Sequence, residues 1–189
     1  PTIVARGGSL HAHTDGAMSS VSKTLVGKDG SILIEGAQAV NRLLIRKDGQ
    51  FIGGGDSKLT TQSIVNRGDI SLDSLVIEDG MNRFIDRYIE FKDRRGDSVP
   101  VESPLRKIDA QGSLKNIGGS ISVNGDLRFT STGDAGGHAL VNLSTGGLRT
   151  KDISPATISA NSIQFSEKND VLINSGFVQT SGIGGIDFG

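Results

Sequence analysis

The stretch Gly119-Ser-Ile-Ser-Val-Asn-Gly-Asp-Leu-Arg-Phe129, "GSISVNGDLRF", decides the fold class. Its large apolar residues, Ile121, Val123, Leu127 and Phe129, all fall on odd positions, with Ser, Asn, Asp and Arg between them. That alternation is the signature of extended chain with one buried face. A two-residue Asn-Gly hairpin would set Val123 opposite Asp126 and Ile121 opposite Arg128, pairing apolar residues with charges, so it is disfavoured. Two readings keep the apolar set together. A three-residue loop pairs Val123 with Leu127 and Ile121 with Phe129, or the chain runs on as one strand with Gly125 on its inner face.

The rest of the 189 residues repeats this texture. Short β-branched runs such as "TIVA", "SILIE", "SLVIE", "ATISA" and "SIQF" lie between glycines, and Asp29-Gly30, Asp48-Gly49, Asp79-Gly80 and Asn124-Gly125 mark turns where positive φ is tolerated. Lys28-Asp-Gly30 returns as Lys47-Asp-Gly49, each followed by an apolar run, a hint of an internal repeat. The 27 glycines are about twice the usual share of ~7%. Aromatics are only 4% and Trp is absent, so a core must be built from small β-formers, which predicts a thin, elongated, all-β chain. Residues 81–93 fit either a short helix, with Met81, Phe84, Ile85, Tyr88 and Ile89 at helical spacing, or two strands around Arg95-Gly96-Asp97; β-branched and aromatic content favours the strands.

Composition also excludes. Without Cys there is no disulfide framework, thiolate nucleophile or Cys-bound zinc. A net charge of −1, from 20 basic and 21 acidic residues interspersed, gives no field for nucleic acid, and no apolar run approaches the ~20 residues of a membrane helix. No serine elbow or Ser-His-Asp order is legible, so no enzyme is expected; a carbohydrate-cleaving carboxylate pair would ordinarily be accompanied by aromatic platforms, and these are missing.

Four motifs invite functional readings. His11 and His13 in "SLHAHTDG" point to one side of a strand and could ligate a metal; two imidazoles are too few alone, but three chains meeting there would supply six. Arg-Gly-Asp occurs at 67–69 and 95–97, "FIGGGDSK" at 51–58 has the look of a phosphate loop without its Lys-Ser/Thr ending, and Asn142-Leu-Ser is a glycosylation sequon; each reads more simply as turn or strand.

"VNGDLRFTSTGD", "YIEFKDRRGD", the repeated "KDG" and the Gly-rich "TSGIGGIDFG" resemble the tail fibres and trimeric tail appendages of tailed bacteriophages. The resemblance is one of texture along most of the chain. It implies an intertwined or side-by-side trimeric β-structure, β-helix-like or β-prism-like, with residues 1–24 as an attachment or joining segment and 25–189 as shaft and tip. It further implies a virion protein whose partners are its own copies, other virion proteins and a host-surface receptor or polysaccharide, with no cofactor beyond a metal held between chains by His11 and His13. A capsid decoration protein and a β-helical carbohydrate-active enzyme are the alternatives.

The parity of 119–129 makes a direct prediction. Val123→Asp puts a charge into an apolar layer and costs several kcal/mol unless the side chain escapes to water, whereas Ser122→Asp on the opposite side is nearly silent. Thermal melts of the two variants check it; equal melting temperatures would refute the register.

Overall fold

The computed structural model describes residues 1–79, 90–92, 98–100, 113–131, 138–146, 154–166 and 170–188. Among them the chain is all-β, and its two large sheets are wholly parallel. It winds as a three-sided coil. The first turn holds β1 (Thr2–Ala5) and β2 (Ser9–Ala12); the second holds β3 (Val21–Val26), β4 (Ser31–Ile34) and the first half of β5 (Ala37–Ile45). The second half of β5 opens the third turn, which continues through β6 (Gln50–Gly53) into β7 (Lys58–Asn66); β7 in turn opens the fourth, completed by β8 (Asp69–Leu72) and β9 (Ser74–Asp79). The short antiparallel pair β10 (Glu90–Lys92) and β11 (Ser98–Pro100) follows. The coil then resumes with β12 (Ser113–Ile117), β13 (Ser120–Val123) and β14 (Asp126–Ser131), then β15 (Ala139–Leu143), β16 (Thr157–Ala160) and β17 (Ser162–Gln164), and last β18 (Val171–Asn174), β19 (Phe177–Thr180) and β20 (Ile186–Asp187).

Each strand pairs with its counterparts one turn before and after, so three faces form. Face one is β1, β3, the second halves of β5 and β7, then β12, β15 and β18. Face two is β2, β4, β6, β8, β13, β16 and β19. Face three is the first halves of β5 and β7, then β9, β14, β17 and β20. In β5 and β7 the pairing is interrupted at Asn41 and Gln62, where one strand passes from face three to face one.

The odd-position residues Ile121, Val123, Leu127 and Phe129 are all buried, as their parity predicts. The partner assignment differs. Neither the hairpin nor the single strand occurs: β13 lies between β8 and β16, β14 between β9 and β17, and Asn124-Gly125 is a corner whose amides donate to Leu72 and Asp73 of the preceding turn. A corner of this kind preserves which side chains face inward without folding the two strands onto each other. The helix reading of residues 81–93 lies outside the described residues apart from β10, which with β11 brackets the second Arg-Gly-Asp as expected for two strands around it. Residues 1–24 form the first turn of the coil and the start of the second.

Inside, side chains stack in columns along the coil. Ile32, Phe51, Ile70, Ile121 and Ile158 occupy one register position on face two, and Leu43, Ile64, Leu114 and Leu140 one on face one. Each such side chain contributes about 1.5–3 kcal/mol relative to exposure. Phe129, Phe165 and Phe188 stack with ring centroids 4.6 and 4.9 Å apart.

The corner between faces one and two carries the tightest constraint. The "KDG" repeat sits there: Asp29 and Asp48 have φ of 58° and 63°, and Gly30, Gly49 and Gly68 stack in successive turns. A Cβ on Gly68 would collide with the carbonyl oxygen of Gly49, so only glycine lets the turns close up. On the inner side of this corner Asn66, Asn116 and Asn142 are fully buried, each donating through Nδ2 to the next Oδ1 at 2.8 Å, the last reaching Asn174. The same amides cap the corner carbonyls: Asn116 Nδ2 also donates to Gly119 and Thr157. One turn earlier this position is Ile45, and before it Val26.

Asn116→Leu therefore removes the side-chain donor to Asn142 Oδ1 and the side-chain acceptor of Asn66 Nδ2, and one donor each to the Gly119 and Thr157 carbonyls, and is expected to cost about 2–4 kcal/mol. Ile45→Val, in the same column, should cost about 1 kcal/mol. Urea unfolding of both variants compares them; equal losses would show that the ladder contributes no more than packing.

Candidate functional site

His11 projects outward from β2, beside Leu33 of β4, and His13 follows on the same side. Their rings lie with centroids 3.8 Å apart, tilted by 43°. Glu35 enters from the next turn, its amide donating to the Ala12 carbonyl at 3.0 Å, which sets its side chain against both imidazoles. Glu35 Oε1 stands 3.3 Å from His11 Nε2, and Oε2 stands 3.7 Å from His13 Nδ1. One ligand atom from each of the three residues lies within 4.8 Å of the other two, and all three are exposed.

The backbone beneath this cluster is tied down. Gln38, buried on β5, accepts from the Met18 amide at 3.0 Å and donates through Nε2 to the carbonyls of Thr14, at 2.6 Å, and Glu35, at 2.9 Å. Asp15 accepts from the Ala37 amide at 2.9 Å, and Met18 is buried beneath the loop. The loop after His13 and the corner carrying Glu35 are thus held together by two side chains, Gln38 and Asp15.

The chain itself brings His11 and His13 together with a third donor, Glu35, that sequence reading misses. Nothing local marks Glu35; only the register of one turn on the next puts it there. His138 stays apart. It is buried on the far side of the coil, with Nδ1 3.0 Å from Asp170 Oδ1 and Nε2 2.9 Å from the Thr130 carbonyl, so both ring nitrogens are engaged. Gly53 to Ser57 of "FIGGGDSK" form a corner in which buried Ser57 Oγ accepts from the Asp73 amide. Asn142 belongs to the asparagine ladder and is inaccessible as a sequon. Arg67-Gly68-Asp69 forms the corner leading into β8, and Arg95-Gly96-Asp97 lies outside the described residues. Asp126 is held below the ordinary carboxylate range by hydrogen bonds from Ser162, Asn161 and Arg128.

A second feature runs along the outside of face one. Val4, Leu25, Leu44 and Val65 share one register position and point outward, forming a partly exposed apolar column. A shallow groove follows it, lined by Leu25, Leu44 and Val65 together with Lys28, Arg46, Lys47 and Arg67, with Asp48 as its one carboxylate. The opposite edge of face two carries Glu35, Asp56 and Asp73 at successive corners. Charges interspersed in sequence are sorted by the coil into a mainly basic and a mainly acidic corner. Family models, curated proteins and solved structures give no match to this chain.

Proposed function

We propose that this chain is a shaft component of a trimeric virion appendage, a tail fibre or tail-tip protein of a tailed bacteriophage that works by surface contact in host attachment. The observation that carries the reading is the outward column Val4, Leu25, Leu44 and Val65. Apolar residues repeated at one outer position of a rigid coil favour a partner with the same rise, and a parallel copy of the chain has it. Three coils side by side bury these columns, while the basic and acidic corners, which climb at the same rise, give such a packing complementary edges.

A parallel coil suits a fibre better than the barrel or sandwich implied by capsid decoration. The groove of face one, with one carboxylate and no aromatic ring, favours contact over sugar cleavage.

Sedimentation velocity at low micromolar concentration should give a species of three chains. Leu44→Asp should dissociate it with the far-ultraviolet circular dichroism unchanged, since Leu44 points out, whereas Leu43→Asp should unfold the coil. A folded wild-type monomer would overturn the proposal.

A further inference from the structure

We infer that His11, His13 and Glu35 of a single chain bind one borderline divalent cation, of the zinc, copper, nickel or cobalt class. The spacing carries the argument. Two ligands of a tetrahedral ion with bonds of about 2.0–2.1 Å stand roughly 3.3–3.5 Å apart. The two Glu35 oxygens stand 3.3 Å from His11 Nε2 and 3.7 Å from His13 Nδ1, and one ligand atom from each residue lies within 4.8 Å of the other two, so side-chain rotation of exposed groups on a fixed backbone can close the three donors around one ion. Two imidazoles and a carboxylate suit these ions, while calcium and magnesium call for oxygen donors throughout.

The site is also organised in advance. Gln38 ties Glu35 to the loop after His13, and the Glu35 amide is bonded to Ala12, so the three donors sit on backbone already fixed by the coil. Three protein donors leave a coordination position toward solvent, open to water or to a donor from a partner molecule. This site is complete within one chain and is independent of trimer formation, in contrast to the six-imidazole arrangement that resemblance to phage fibres implies.

Isothermal titration of tag-free protein with zinc chloride, and absorption spectra with cobalt chloride, test it. The expected result is one ion per chain, an intense visible cobalt spectrum of low coordination number, and weaker binding in acid, because the ligands bind as neutral imidazole and carboxylate. His11→Ala and His13→Ala should abolish binding. Glu35→Gln, nearly isosteric and exposed, should weaken it by at least about tenfold, with the metal-free melting temperature confirming that the variant is folded. No zinc binding up to millimolar concentration, one ion per three chains, or equal affinity in Glu35→Gln would each overturn the inference.

Discussion

The core, the asparagine ladder and the surface cluster of this molecule all depend on parallel pairing of each turn with the next in register. Backbone hydrogen bonds fix the separation of turns at about 4.8 Å, so a side chain at one position must lie against the side chain at the same position one turn on. Apolar residues then form columns rather than a globular centre, and asparagines form a ladder in which each amide satisfies its neighbour. The same rule stacks Phe129 on Phe165 and Phe165 on Phe188, and sets Glu35 against His11 and His13.

This constraint explains a composition that looks poor for a core. The coil interior is narrow, and about two inward side chains per face per turn, such as Ile32 and Ile34 or Leu75 and Ile77, fill it, with Phe51 and Phe129 among the largest fully buried side chains. Aromatic anchors are unnecessary where the backbone is already close-packed at the corners. Glycine is needed there because the carbonyl of the previous turn occupies the space a Cβ would take, as Gly176 shows against Ala156. The buried asparagines are tolerated because the ladder satisfies them, and buried Gln38, Ser57 and His138 find local partners; Thr24 Oγ1 and Thr130 Oγ1 lack a partner among the described residues.

The inner and outer faces were legible in the sequence wherever alternation ran through a turn, as at 119–129, and the positive φ at Asp29 and Asp48 was legible from Asp-Gly. Partner strands were not. A corner that continues the coil and a tight hairpin share the same turn chemistry, and what distinguishes them lies a full turn away in sequence. The repeat was visible only as two copies of "KDG" because later corners lose Lys and Asp, keeping the glycine at Gly68, Gly119 and Gly176 and replacing it by Ala156 in the turn between the last two. The segments between β9 and β12 and between β15 and β16 then break the spacing. His11 and His13 were conspicuous by composition, while Glu35 looked like any exposed glutamate until register was known.

Register itself can be measured with cysteines, since the chain has none of its own. Ser122 and Ser159 face each other across adjacent turns with Oγ atoms 3.4 Å apart, and Ser71 occupies the same position one turn before Ser122. Adjacent turns lie within the Cα separation of about 4.4–6.8 Å that a disulfide spans, and a gap of two turns does not. Mild oxidation of a Ser122→Cys, Ser159→Cys variant should give an intramolecular disulfide rapidly and quantitatively, while Ser71→Cys, Ser159→Cys should stay reduced. The reverse pattern, or equal oxidation of both, would contradict the stacked register from which the site and the outer column are derived.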